Sequence, residues 1–246
     1  MKRLTYLIAA LFLLIISGTI SYGQQGRLKK DDHYNKLTDK EVKEGWKLLW
    51  DGKTTAGWRG YNIPVFPASG WEIKDGILTV LPPQQGKSGG DIITENTFKN
   101  FELSVDFMYT PGANSGIKYF IDGKTNVSCE YQILDDKLHP DAKLGKNGDR
   151  TLAGLYDLIP PKNKKDNGPN QWNTATIIVK GNHVEHWLNG QMTVSYERGD
   201  AAWKDLVATS KFKGLTTFGE AAEGHILLQD HGNKVSFRNI KIREIK

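Results

Sequence analysis

The chain has 246 residues, a formal net charge of +5 and 38% hydrophobic residues. This length permits one large or two small globular domains, and the balance of apolar and charged residues excludes an intrinsically disordered chain. Lys and Arg residues are scattered, without a basic stripe that alternates with aromatic residues, which argues against a nucleic-acid partner.

The N-terminal segment, residues 1–23, has the pattern of a secretory signal peptide. Two basic residues precede an apolar run over residues 4–16, and Ser21 and Gly23 supply small side chains at the −3 and −1 positions. No cysteine follows the run, so the sequence predicts no lipoprotein anchor there. No second long apolar run occurs. We therefore expect an exported protein, periplasmic or extracellular, whose mature chain has no membrane anchor.

The next segment, residues 24–44, is a polar lead-in. Thr38 and Glu41 match a capping box and predict a short helix that ends near Glu44. Residues 45–246 are predicted to form a single domain. Cys129 is the only cysteine, so no intramolecular disulfide can form and the fold must depend on a sizeable core.

The domain consists of short apolar or alternating segments separated by turn signals such as Asp75-Gly76 and Asn189-Gly190. Long polar loops cover residues 136–152 and 160–171, and residues 200–213 fit either a short helix or an irregular loop. The predicted strands cover about residues 46–50, 71–74, 77–80, 91–94, 101–107, 116–121, 129–134, 174–180, 183–188, 191–196, 224–229 and 235–242. Some twelve short strands with little helix predict an all-β fold, in which two antiparallel sheets pack as a β-sandwich of jelly-roll type.

A dense group of polar residues lies in the strand pair over residues 116–121 and 129–134. Glu130 and Gln132 are two residues apart, so both side chains project from one face of the second strand. Asn114 and Ser115 add a carboxamide and a hydroxyl at the start of the first strand. A half-exposed strand also needs polar residues on one face, so a solvated surface explains this pattern as well as a catalytic cleft does.

An ordered set of short motifs carries a resemblance to one bacterial family. Each motif is weak alone, but their order along the chain is specific. The motifs are Trp46-Lys-Leu-Leu-Trp-Asp-Gly-Lys-Thr, Gly57-Trp58, Gly89-Gly90-Asp91-Ile92, Phe101-Glu102-Leu103, Asn114-Ser115-Gly116-Ile117, Glu130-Tyr-Gln-Ile-Leu-Asp135, Trp172-Asn173, His183-Val-Glu-His-Trp-Leu-Asn-Gly190, Gln229-Asp230-His231-Gly232 and Phe237-Arg238-Asn239-Ile240.

Over about residues 45–245 the chain resembles the 3-keto-disaccharide hydrolase family. The resemblance implies a concanavalin-like jelly roll, an exported location, and action on glycosides oxidised at C3. Concanavalin-like glucanases carry a Glu-x-Asp-x-x-Glu pattern on one strand. The nearest match here, Glu102 and Asp106, has a spacing of four and no third carboxylate in register, which argues against a glucanase mechanism.

A ketone at C3 acidifies the hydrogen at C2, so a base can remove it, the group at C1 can leave by elimination, and water can add back. Such a site needs a base, a donor to the enolate oxygen and an acid for the leaving group. Glu130 is the preferred base, with Asp135 or Asp106 as alternatives. The candidate donors and substrate contacts are Gln132, Asn114, Ser115 and Lys118.

Tyr156 and His186 are the candidate acids, although His186 shares a strand face with two apolar residues and equally fits a structural role. Asp230 and His231 are either supporting site residues or a polar turn. Trp187 and Trp58 are candidates for stacking on a sugar, although most tryptophans belong to the core.

The sequence requires no cofactor, and no His/Cys/Asp cluster has zinc-site spacing. Carboxylates of the 135–149 loop leave a calcium site open. The expected partner is a small carbohydrate, and two functions remain: an enzyme acting on 3-keto glycosides, by hydrolysis or by a lyase or hydratase half-reaction, and a non-catalytic carbohydrate-binding module.

Overall fold

The computed structural model describes residues 34–245. The predicted signal peptide over 1–23 and the first part of the lead-in lie outside the described residues. Within residues 34–245, two short α-helices and one 3-10 helix at Pro140–Lys143 accompany thirteen strands. The helices are α1 (Asp39–Lys43) and α2 (Ala201–Thr209). No helix in this part of the chain is long and apolar enough to cross a bilayer.

Twelve of these thirteen strands overlap predicted segments, and the strand at Trp58–Gly60 has no predicted counterpart. Their bounds are β1 (Lys47–Leu48), β2 (Trp58–Gly60), β3 (Trp71–Lys74), β4 (Ile77–Val80), β5 (Ile92–Thr94), β6 (Phe101–Tyr109), β7 (Asn114–Ile121), β8 (Glu130–Leu134), β9 (Asn173–Lys180), β10 (His183–Leu188), β11 (Gln191–Glu197), β12 (His225–Leu228) and β13 (Val235–Glu244).

The strands form two antiparallel sheets. The larger sheet has the order β11-β10-β9-β6-β13-β4-β3, with β1 added beside β13, and the smaller has the order β2-β5-β12-β7-β8. Every strand pair is antiparallel. The predicted all-β, two-sheet jelly-roll sandwich is confirmed.

Local sequence signals account for several elements. Thr38 and Glu41 form the reciprocal capping box that starts α1. The β3–β4 hairpin turns at Asp75 and Gly76, which both have positive φ, as a tight two-residue turn with the twist of the strands requires. Asp200 caps α2 by accepting the backbone N–H of Trp203, so the helical alternative for residues 200–213 is the correct one.

Two segments differ from the prediction for a physical reason. Strand β1 contains only two of the five predicted residues, because the N–H groups of Leu49 and Trp50 both donate to the carbonyl of Ile240, which ends the regular ladder. The predicted loop over 136–152 contains the 3-10 helix, which Pro140 starts and His139 caps.

The core lies between the sheets and is built from alternate residues of each strand. In β6 the aromatic and aliphatic side chains at odd positions are buried, and the polar ones between them are half-exposed. Tyr119 of β7 and Tyr131 of β8 point into this core and contact His186 of β10. Their strand neighbours Lys118 and Glu130 therefore point to the opposite, outer face of the smaller sheet.

Candidate active site

A polar pocket lies on the outer face of the smaller sheet, over β7 and β8. Its volume is about 150 Å³. The sheet forms the floor of the pocket, and loop segments on either side of the pocket form its walls. The lining residues are Asn114, Lys118, Val127, Ser128, Glu130, Gln132, Tyr156, Lys211, Phe212, Gln229 and His231. The strand pair in which the sequence predicted the site is therefore the floor of the pocket.

Glu130 is the central carboxylate of the floor. It is 6% exposed, and Lys118, its cross-strand partner, places Nζ 3.9 Å from Glu130 Oε2. Burial raises the pKa of Glu130 to about 7, because the charged form loses its hydration, and the nearby Lys118 and Lys211 offset this only in part. A carboxyl group with a pKa near neutrality is suited to accept and return a proton.

Gly116 makes the room that Glu130 occupies. It pairs across the strands with Gln132, and a Cβ atom at this position would lie 2.1 Å from Glu130 Oε1. Any side chain at position 116 would therefore displace the carboxylate. Glycine in a strand interior is costly, and here it marks the close approach of a functional group to the backbone.

Three carboxamides around Glu130 have buried side-chain oxygens without a hydrogen-bond partner: Asn114 Oδ1, Gln132 Oε1 and Gln229 Oε1. They belong to three adjacent strands or strand ends, since the Gln229 N–H donates to the carbonyl of Gly116. Unpaired buried polar groups are costly and rare in proteins. Their convergence in one pocket indicates a site that binds a ligand rich in hydroxyl groups, which can donate to these oxygens.

Tyr156 and Lys211 form one wall of the pocket. Lys211 Nζ lies 3.9 Å from the centroid of the Tyr156 ring, and the Tyr156 hydroxyl donates to Asp141 Oδ2 at 2.8 Å. Burial, and then this hydrogen bond, raise the pKa of Tyr156. Partial burial lowers the pKa of Lys211, although Glu130 opposes this shift. Of the two groups, Lys211 therefore releases a proton more readily than usual.

Several predicted site residues lie near the pocket but support it through the backbone. Asp135 accepts the N–H groups of Gly112, Lys137 and Leu138, which fixes the turn after β8. The Ser115 hydroxyl donates to the carbonyl of Gln229 from the side of β7 opposite Asn114. Asp230 accepts the Gly90 N–H and belongs to a polar turn.

Four predicted residues lie away from the pocket, and here the sequence-based assignment is corrected. His186 is fully buried between the sheets, with Nε2 2.6 Å from the Tyr119 hydroxyl, and burial lowers its pKa to about 3. It cannot reach a leaving group on the outer face. Asp106 lies on the larger sheet, and its carboxylate accepts hydrogen bonds from the side chains of Thr174 and Asn239. Trp58 is buried and donates to the Leu49 carbonyl.

Trp187 is the fourth. It lies on the larger sheet, and its indole N–H donates to Glu185, two residues away on the same strand face. The sequence did not single out five other lining residues, Val127, Ser128, Lys211, Phe212 and Gln229. Gln229 follows β12 and directly precedes Asp230 and His231, which the sequence indicated as candidates. It is two residues from His231, so the alternation of side chains along an extended segment could have identified it. Lys211 follows α2 in a segment without any pattern that points to the pocket.

Metal ligation is the remaining chemistry to compare with the residues present. Among residues 34–245, no group of three or more His, Cys, Asp or Glu side chains is arranged to hold a metal ion. In the 135–149 loop, Asp135 and Asp149 accept backbone N–H groups and Asp141 pairs with Arg150. These carboxylates already have partners within the protein.

Residues 45–243 match the model of the 3-keto-alpha-glucoside-1,2-lyase-like domain. The chain belongs to this family. A 3-keto-disaccharide hydrolase of Bacteroides thetaiotaomicron is 39% identical over 230 residues, which are 81% of this chain and 78% of the relative. These relatives place the chain among the enzymes that degrade glycosides.

Two crystal structures of candidate glycosyl hydrolases from Parabacteroides distasonis ATCC 8503 share the fold. One is 29% identical with a TM-score of 0.76 and covers 87% of this chain and 100% of its own. The other is 26% identical with a TM-score of 0.60 and covers 81% of this chain and 99% of its own.

Proposed function

We propose that this enzyme hydrolyses 3-keto-disaccharides and related 3-keto-glycosides, and that Glu130 is its base. The observation that carries the proposal is the buried Glu130 carboxyl, with a pKa of about 7, in a pocket whose three carboxamide oxygens lack hydrogen-bond partners. The relative from Bacteroides thetaiotaomicron, which is named for the hydrolysis of 3-keto-disaccharides, supports the substrate class.

In the proposed first step, the Glu130 carboxylate removes the proton from C2 of the oxidised ring. The electrons of the C–H bond form a C2–C3 double bond, and negative charge moves to the oxygen at C3. The Lys118 ammonium and the amides of Asn114 and Gln132 stabilise that charge as hydrogen-bond donors. Donors held in a buried pocket stabilise an enolate far more than donors in water do.

In the second step, the bond from C1 to the leaving oxygen breaks, its electrons stay on that oxygen, and a C1–C2 double bond forms conjugated to the ketone. The leaving oxygen needs a proton. Lys211 is the proposed donor, since its pKa is lowered while that of Tyr156 is raised. Water then adds its hydroxyl to C1 and gives its proton to the neutral Lys211 amine, and Glu130 returns the proton to C2, which completes a net hydrolysis.

Elimination at C1 is a complete lyase reaction, and addition of water to the resulting double bond is a hydratase reaction. The family model is described as lyase-like, whereas the relative is named a hydrolase. Both reactions begin with loss of the C2 proton. The role of Glu130 is therefore the same whether one protein performs one half-reaction or both.

The decisive experiment measures exchange of the C2 hydrogen of a 3-keto-disaccharide with solvent deuterium. Glu130→Gln keeps the size of the side chain but removes the proton acceptor, so we expect exchange and turnover to fall by ~10²–10⁴-fold. Glu72→Gln, on the exposed side of β3, is the matched control and retains the parent rate. A folded Glu130→Gln that exchanges the hydrogen at the parent rate would show that Glu130 is not the base.

The unoxidised parent disaccharide completes the experiment, because it has no ketone to acidify its C2 hydrogen. We expect the enzyme to cleave the 3-keto-disaccharide and leave the parent disaccharide intact. Equal turnover of both substrates would contradict the proposed mechanism.

We also infer that the protein is exported and loses residues 1–23. The charged start, the apolar run over 4–16, and the small residues Ser21 and Gly23 support this inference. N-terminal sequencing of exported protein is expected to start at Gln24. A mature protein that starts at Met1, or that is recovered only with membranes, would refute the inference.

A further inference from the structure

A second cavity lies beside the smaller sheet, where β2 ends and β5 begins. Its volume is about 270 Å³, larger than the pocket around Glu130. We call this cavity the second groove and define it by Tyr61, Asn62, Ile63, Asp91 and Asn126, which line it together with three glycines. The proposed function gives these residues no role.

The second groove and the Glu130 pocket meet in the segment between β7 and β8. Asn126 lines the groove, and the next two residues, Val127 and Ser128, line the pocket. A molecule of two sugar rings can therefore extend from the pocket into the groove.

A chain of hydrogen bonds joins the two cavities. Lys118, which lines the Glu130 pocket, donates from Nζ to the carbonyl of Asn126 at 3.1 Å. Asn126 in turn donates from Nδ2 to Asp91 Oδ2 at 3.1 Å. The backbone N–H of Asp230 donates a hydrogen bond to the other oxygen, Asp91 Oδ1, at 2.9 Å. The polar groups of the groove are thus fixed relative to the base.

The chemistry of the groove suits a neutral sugar. Tyr61, which lines the groove, packs against a small apolar cluster of Ile93, Ile121 and Leu227, all fully buried. An aromatic ring held in this way offers a surface for the C–H face of a pyranose. Asp91 lies at the edge of this surface, and each of its carboxylate oxygens keeps a second acceptor position for a sugar hydroxyl.

We propose that the second groove binds the sugar that leaves from C1, while the Glu130 pocket holds the oxidised ring. The inference rests on the proposed function, which requires a 3-keto ring with a departing group. The pocket around Glu130 is too small to hold two rings, and the larger cavity begins at Asn126, the residue before Val127 of the pocket. A glycoside with a small leaving group leaves the groove unused.

The test compares two substrates in the same enzyme variants: a 3-keto-disaccharide and methyl 3-keto-glucoside, whose leaving group is methanol. For Asp91→Asn and for Tyr61→Ala, the ratio of kcat/KM for the disaccharide to that for the methyl glycoside is expected to fall about tenfold, as expected for the loss of a charge-assisted hydrogen bond or a stacking surface. Tyr61→Phe, which keeps the ring, retains most of the ratio. Asp205→Asn, exposed on α2, is the matched control.

An unchanged ratio in Asp91→Asn and in folded Tyr61→Ala would overturn the proposal. Because Tyr61 packs on the apolar cluster, Asp91→Asn decides the result if Tyr61→Ala does not fold. If the parent enzyme cleaves neither 3-keto substrate, the proposed function fails, and the groove is tested by NMR titration with unoxidised methyl glucoside. Shifts centred on the amides of Asp91 and Asn126 then support a sugar site, and their absence overturns it.

Discussion

Glu130 shows how one residue acquires its chemistry from its surroundings. The sequence indicated that Glu130 and Gln132 share a strand face, because side chains alternate along a strand. It could not indicate which face the loops cover, and that covering determines the pKa. Gly116, the cross-strand partner of Gln132, leaves the space for the Glu130 carboxylate, and this relation depends on the register of β7 against β8.

The raised pKa of Glu130 predicts a pH-dependent stability. Below pH 4.5 the carboxyl is protonated in both the folded and the unfolded chain. Between pH 4.5 and about 7 the folded chain keeps a proton that the unfolded chain has lost, so the free energy of unfolding falls as the pH rises. The total loss above pH 7 is about 3 kcal/mol.

Glu130→Gln removes this titration, so its stability relative to the parent is expected to increase between pH 4 and pH 8. Urea unfolding at several pH values measures the difference, and Glu72→Gln again serves as the control. Stability curves of Glu130→Gln and the parent that run parallel over this range would show that the Glu130 pKa is not raised.

At the scale of elements, the wall of the pocket depends on contacts between segments far apart in the chain. Arg150 binds Asp141 at 2.9 Å and Asp157 at 2.5 Å. Asp141 holds the Tyr156 hydroxyl, and Asp157 accepts the backbone N–H of Lys211, 54 residues later. The sequence predicted a long loop here, and such loops often carry function. The contact with the segment after α2 leaves no trace in local patterns.

The proposed role of Lys211 predicts an effect that depends on the leaving group. A poor leaving oxygen, as in a disaccharide, needs a proton, whereas 4-nitrophenolate leaves without one. Lys211→Met is therefore expected to lower turnover of a 3-keto-disaccharide ~10²-fold and that of 4-nitrophenyl 3-keto-glucoside far less. Steady-state kinetics with both substrates measures this.

Tyr156→Phe is the matched control, because it removes the other candidate acid but keeps the ring beneath the Lys211 ammonium. We expect a smaller loss that is similar for both substrates. A leaving-group-dependent loss in Tyr156→Phe, with little effect in Lys211→Met, would make Tyr156 the acid.

At the scale of the whole molecule, the two sheets have different structural and functional roles. The larger sheet and the inner face of the smaller one build the core, and the outer face of the smaller sheet carries the pocket. The two-sheet fold followed from the alternation of β6 and the regular β9–β11 meander. The sequence also placed His186 on the same strand face as Val184 and Leu188, which are both buried. These two apolar neighbours on the same strand face were the signal that His186 belongs to the core.

Substitution of His186 is therefore expected to lower the stability of the fold with little effect on the chemical step. Its ring is fully buried, contacts the Tyr119 and Tyr131 rings, and shares a 2.6 Å hydrogen bond with the Tyr119 hydroxyl. His186→Ala leaves a cavity and removes one of the two hydrogen bonds of the Tyr119 hydroxyl, which keeps its bond to Tyr196, so we expect it to lower the free energy of unfolding by about 2–4 kcal/mol.

Tyr119→Phe keeps the ring and removes only the hydroxyl, with its hydrogen bonds to His186 and Tyr196, and is expected to cost about 1–2 kcal/mol. Urea unfolding gives both values, and kcat for a 3-keto-disaccharide is measured at a temperature at which each variant is folded. We expect kcat of both variants to stay within a few-fold of the parent, since the two rings lie on the side of the sheet opposite Glu130 and Lys118. A fall of ~10²-fold in kcat for folded His186→Ala, of the size that loss of an acid produces, would instead return His186 to the catalytic machinery.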